Sequence, residues 1–213
     1  MGVIETGTSS TGMANVDEAF ALRVHDPGGP NPFFVNAISG TLVAATNGDV
    51  FAMRIDPSAP NPAHIKAIIC SYRTITAFTA PSTPRFLRLR RFTGTVASGG
   101  TAITTAANKD TGGATSEFNS GNGGDIRIAG TTNLTSPGTP DTLEVDERVN
   151  LINMGSAGAF TRWGWIFSPA QGSSPLLLSA GNSIAIGTSA AFDAGGTWEL
   201  GVHVEWFEGR RQG

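Results

Sequence analysis

Charge is scarce in these 213 residues: Asp, Glu, Lys and Arg make up 15% of the chain, and Lys66 and Lys109 are its only lysines. The net charge of −3 gives no attraction to nucleic acid or to anionic membranes, so neither is expected as a partner. A single cysteine, Cys70, excludes an intrachain disulfide; it ends the largely apolar run from Ile65 and reads as a small buried hydrophobe. No stretch approaches the ~18 consecutive apolar residues of a membrane-spanning helix. The first residues lack the basic and apolar regions of a secretory signal, so synthesis in the cytoplasm is expected. Also missing are a phosphate-cradling Gly-rich motif, a Gly-x-Ser-x-Gly elbow and a His-Glu-x-x-His pair. Neither an enzyme nor a cofactor is expected.

In place of charge the chain carries Gly, Thr, Ser and Ala, with 28 Gly and 12 Pro. Such a sequence is poor in helix formers and rich in turn residues. Residues 1–18 hold little to bury and read as an N-terminal arm; residues 19–213 read as one domain. Alternation marks strands at Phe20–His25, Phe33–Ile38, Thr41–Ala45, Val50–Ile55 and Phe86–Phe92. His64–Phe78 is β-branched and long enough for one bent strand or two. Asn47-Gly48 and Gly181-Asn182 are turn signals, the second between Pro175–Leu178 and Ser183–Ile186. Residues 93–142 are irregular, with a short isolated strand at Asp125–Ala129, and a helix is conceivable only at Leu143–Asn150. The last strand has the clearest period: Trp198, Leu200, Val202, Val204 and Trp206 share one face, with Glu199, Gly201, His203 and Glu205 on the other. Eight to eleven such strands predict an all-β, jelly-roll-like sandwich with long Gly/Thr-rich loops.

Few residues group into anything chemical. His203 and Glu205, two apart on a strand, share a face but have no visible third metal ligand, so no metal site is expected. Glu144 with Asp146, and Glu205 with Glu208, are carboxylate pairs of the kind any polar β-protein carries. Arg85, Arg88, Arg90 and Arg91 form the one basic cluster, with Arg88 and Arg90 on the face of Phe86 and Phe92, and Arg85 and Arg91 on that of Leu87 and Leu89. On an acidic chain this footprint suits ion pairs with a neighbouring subunit better than nucleic acid. Trp163 and Trp165 alternate beside Ile166 and Phe167 and read as core or interface, with sugar stacking as the alternative. Asn133-Leu134-Thr135 is a formal glycosylation sequon without a secretion signal to make it usable.

Several of these segments resemble a family of tailed-bacteriophage virion proteins: Phe86–Gly94 followed by Gly99–Ile103, then Gly124–Ala129 and Thr131–Leu134. Leu176–Leu178, Ala180–Asn182, Ile184–Ile186 and the ending Gly196–Trp206 are similar as well. These are structural strands and turns that cover most of the chain from Phe20, not a chemical signature. The resemblance implies a capsid decoration (cement) protein: a β-rich homotrimer, partnered by the major capsid protein on the outer surface of the virion head. It supplies no catalytic residue. The other expectations weighed are a receptor-binding tail or head-fibre protein recognising host glycans, the shell-building jelly-roll protein itself, and, last, a glycan depolymerase.

Overall fold

The computed structural model describes residues 15–16, 22–23, 31–44, 48–79, 86–104, 106–108, 115–141, 146–150, 156–167, 175–188, 190–193 and 195–209. Sixteen strands run through them, with one short 3-10 turn at Ser120–Asn122 and no α-helix among the described residues. The first half holds β1 (Asn15–Val16), β2 (Leu22–Arg23), β3 (Asn31–Ile38), β4 (Leu42–Val43), β5 (Asp49–Arg54), β6 (Ala63–Thr76), β7 (Phe86–Thr93) and β8 (Thr101–Ala102). The second half holds β9 (Ala107–Asn108), β10 (Asp125–Ile128), β11 (Thr139–Pro140), β12 (Asp146–Asn150), β13 (Phe160–Ile166), β14 (Leu176–Leu178), β15 (Asn182–Thr188) and β16 (Thr197–Glu208). The expected all-β sandwich is what forms.

Two seven-stranded antiparallel sheets make up the sandwich. Sheet one has the order β11-β7-β15-β5-β10-β8, with β12 also on β7; sheet two has β13-β6-β16-β3-β9, with β14 on β6 and β4 on β16. Phe51, Met53, Ile126, Ile184, Ile186, Leu87 and Leu89 of sheet one and Ile65, Ile68, Val202, Val204 and Trp206 of sheet two belong to one buried cluster. The final strand fulfils its period: every residue of its apolar stripe is buried, and β16 lies between β6 on one side and β3 and β4 on the other. An unpaired apolar strand of that length would invite edge-to-edge aggregation, and a central position removes the hazard.

The expected turn at Gly181-Asn182 forms, with the Asn182 N–H donating to the Ser179 carbonyl at 3.0 Å, but it joins the two sheets rather than a hairpin, since β14 belongs to sheet two and β15 to sheet one. Gly181 takes the φ of +77° that this sharp change of direction requires. Asn47, of the other expected turn, lies outside the described residues. The helix conceivable at Leu143–Asn150 is instead β12 over its described part, paired to β7. Residues 63–76 form one strand, accommodated against β16 by two register shifts, between Thr197 and Trp198 and between Glu205 and Trp206. The strand at Asp125 is not isolated but pairs with β5 and β8. Pro32 lies within β3, near its start, where the missing N–H costs least. Asn15 and Val16, expected in the arm, pair with Arg23 and Leu22. The rest of the arm, and the expected strand Phe20–His25 apart from β2, lie outside the described residues.

Candidate interaction surface

The register of β7 against β15 separates the arginines into the two sets that alternation predicts, Arg88 and Arg90 on one face and Arg91 on the other; Arg85 lies outside the described residues. Arg90 is engaged within the chain. Its Nη2 donates to Asp49 Oδ1 at 2.6 Å, and its guanidinium lies 5.0 Å from the centroid of the Phe92 ring, which is fully buried. Asp49 is buried too, so this pair is shielded from solvent and from salt. Gly187 makes room for it: a Cβ there would stand 2.4 Å from the Gly48 carbonyl oxygen and 2.7 Å from Asp49 Oδ1. Arg91 donates from Nε to Asp141, again in the same chain.

The two tryptophans lie on the inner face of β13, because Trp163 pairs opposite Cys70 and Trp165 opposite Ile68, both of them core residues of β6. Trp165 is buried, Trp163 half-buried, and their rings meet edge to face at 4.5 Å. Trp165 offers no open ring face for a sugar, whereas Trp163 is partly exposed. The carboxylate pair Glu205 and Glu208 is also split, since residues three apart on a strand point to opposite faces. Glu208 turns inward and accepts from Ser116 Oγ (2.7 Å), Trp206 Nε1 (2.8 Å) and the Glu117 N–H (3.0 Å). Glu144 is outside the described residues, and the side chain of Asp146 is not described. The His203 ring bridges Asn36 Oδ1 (2.7 Å) and Glu205 Oε1 (3.2 Å). No group of three His, Cys, Asp or Glu that could hold a metal occurs among the described residues. Cys70 is buried as expected, and burial pushes its thiol up to about 12.

The feature that single-strand patterns did not reveal is the outer face of sheet two. Strand pairing sets Ile38, Gly201, Ser71 and Arg162 side by side in one row across it, and Asn36, His203, Ile69 and Gly164 in the next. Glycine and serine at the centre leave a shallow trough of about 540 Å³, with Ile38 and Arg162 on its opposite walls. Six large hydrophobic residues are exposed among the described residues, and five share this face: Ile38 (72% exposed), Val43, Phe160 (61%), Ile166 and Leu177. Scattered exposed apolar residues are ordinary; here five of the six share one sheet face, with Arg73, Glu199, His203 and Glu205 among them.

The positive charge on that face is partly uncompensated. Arg73 is paired with Glu199 at 2.8 Å, whereas Arg162 and Lys66, which protrudes at the register shift in β6, have no carboxylate partner among the described residues. Both lie on elements of sheet two and both are exposed. No helix among the described residues is long and apolar enough to cross a membrane. Comparison of the chain with known protein families, with curated proteins and with solved structures gives no match.

Proposed function

We propose that this chain is a structural protein of a tailed-bacteriophage virion, a capsid decoration protein that binds the outside of the head as a homotrimer and reinforces the major capsid protein shell. The observation that carries the reading is the apolar outer face of sheet two, with five of the six exposed large hydrophobics of the described residues. A β-sandwich with exposed large apolar residues on one outer face, interspersed with the Arg73–Glu199 pair and His203, suits a subunit that is stabilised by mutual burial with its neighbours. The weakly charged, Gly- and Thr-rich composition supports the same reading. The glycan-recognising alternative is less well supported, because Trp165, one of its two named stacking residues, is buried.

Quantifying the protein in purified particles tests the proposal. Hundreds of copies per virion, released without loss of the shell under mild chaotrope, are the expected result. A handful of copies fractionating with tails would overturn it.

A further inference from the structure

We infer that the open edge of β13 takes up an extended, acidic segment of another protein as an added strand. The inference goes beyond the capsid reading and does not rest on it. β13 ends sheet two, and β6 is its one strand neighbour among the described residues. The hydrogen-bond phase between the two is fixed at both ends of the ladder. The Phe167 N–H donates to the Lys66 carbonyl at 2.8 Å, and the Thr74 N–H to the Ala159 carbonyl at 2.9 Å. Odd-numbered residues of β13 therefore bond to β6, and Phe160, Arg162 and Gly164 turn their N–H and C=O groups to the open side. No described residue bonds to those groups. Proteins blunt such edges with very short strands, Pro, Lys or bulges. Other strands at the sheet margins follow that rule: β8, β9 and β11 have two residues each, β11 includes Pro140, and β12 shifts register against β7. β13 has seven residues in unbroken register, with neither Pro nor Lys.

The side chains beside the edge name the occupant. Phe160 and Arg162 are exposed on the outer face, and Arg162 has no partner among the described residues. β13 and β6 contribute Arg162, Lys66 and Arg73 and no carboxylate. The carboxylates of this face, Glu199 and Glu205, stand on β16, two strands in from the edge, engaged by Arg73 and His203. A strand added beside β13 lies about 4.8 Å away, so an acidic side chain opposite Arg162 meets it directly. Gly164 is bare because a Cβ there would stand 2.8 Å from the Ile68 carbonyl oxygen. A bulky apolar side chain opposite it reaches across to Ile69, the Gly164 partner on β6. The segment that fits alternates: bulky apolar opposite Gly164, carboxylate opposite Arg162, apolar opposite Phe160. Main-chain hydrogen bonds supply the affinity of such an added strand, and its alternate side chains the specificity. A second β13 fits poorly, because Phe160–Ile166 contains no Asp or Glu and would leave both Arg162 side chains unpaired.

The probe is the capped peptide Thr-Phe-Thr-Glu-Thr-Val-Thr, titrated into the purified full chain and followed by calorimetry and by residue-resolved amide hydrogen exchange. Antiparallel pairing sets its Phe, Glu and Val opposite Gly164, Arg162 and Phe160. Saturable binding is expected, with slowed exchange at the Phe160, Arg162 and Gly164 amides. Replacing the peptide's Glu with Lys should weaken binding about fivefold or more, and Arg162→Glu should invert that preference. Arg162 is at the surface, and a thermal melt confirms that the variant is folded. A methyl group on the Glu backbone nitrogen, which faces β13, should abolish binding; one on the following Thr, which faces away, should leave most of it. No saturable binding at millimolar peptide, equal binding of the Glu and Lys peptides, or equal effects of the two methyl groups would each overturn the inference. So would slow exchange at Phe160, Arg162 and Gly164 in the free chain. Slow only at high concentration, it would mean that a second copy holds the edge; slow at every concentration, that the chain covers the edge itself. The capsid reading is untouched by any of these outcomes, since copy number on particles decides it.

Discussion

The Glu208 carboxylate accepts a hydrogen bond from the indole Nε1 of Trp206, its same-face neighbour two residues back on β16, at 2.8 Å. Ser116 Oγ and the Glu117 N–H complete its coordination, and Phe118 sets its ring edge-on to Trp206 at 5.1 Å. One nearly buried carboxylate thus fixes the segment 115–119 over the end of the core. Removing it leaves three donors without an acceptor, each costing on the order of 1 kcal/mol or more. Glu208→Ala should lose about 3 kcal/mol of stability in urea unfolding, and Glu208→Gln, which keeps one acceptor oxygen, distinctly less.

The two faces of β16 respond oppositely to substitution. Val202 is buried against the core and His203, the next residue, is turned outward. Val202→Asp places a charge in the core with no partner, at a cost of several kcal/mol, enough to unfold a domain of ordinary stability. His203→Ala should cost well under about 1 kcal/mol, since its two hydrogen bonds lie at the surface. Thermal melts of both variants check the assignment, and a stable Val202→Asp protein would reverse it.

Gly187→Ala tests the buried ion pair from a distance. The added methyl group collides with backbone at Gly48 and with Asp49 Oδ1, so Asp49 must leave Arg90. Breaking a buried pair is worth roughly 3–5 kcal/mol, and denaturation should show a loss in that range. An unchanged midpoint would mean that the pair contributes nothing.

Acid should strengthen one part of the molecule. Burial, then Glu208 and Asp56, hold the pKa of Glu117 above its ordinary 4.5 in the folded protein. A carboxyl that binds its proton more tightly when folded gains stability as pH falls through the folded pKa, and the gain is complete below the unfolded value. Between neutral pH and about 4.5, the wild-type melting temperature should therefore rise relative to that of Glu117→Gln, with the variant the more stable at pH 7. A difference between the two that stays constant with pH would contradict it.

Cys70 should be silent to thiol reagents in the native state. Its thiolate is the reactive form, and burial pushes the thiol up to about 12. Modification at pH 8 should follow global unfolding, measured by labelling rate against denaturant.

Much of the fold was legible because period 2 is a strong signal where one face is apolar and the other polar. That holds for β16 and for Leu87 and Leu89 against Arg88 and Arg90. The same rule separates Glu205 from Glu208, whose odd spacing puts them on opposite faces. Layer assignment was not legible: Gly181 announces a change of direction but not whether β15 returns beside β14 or crosses to the other sheet. Nor was the interaction face, because Ile38, Phe160, Ile166 and Leu177 come from three strands, and in Leu176–Leu178 or Trp165–Ile166 both sides of the strand are apolar. Only pairing to neighbours decides which of them faces solvent.

On the proposed function, the outer face of sheet two is a protein interface on the head of a virion. An electron cryomicroscopy reconstruction of intact particles decides this in a single map. The expected result is this sandwich on the outside of the shell in many symmetry-related copies, with Ile38, Phe160 and Ile166 covered by a neighbouring protein. Finding that face open to solvent on the particle, or the protein confined to the tail, would contradict it.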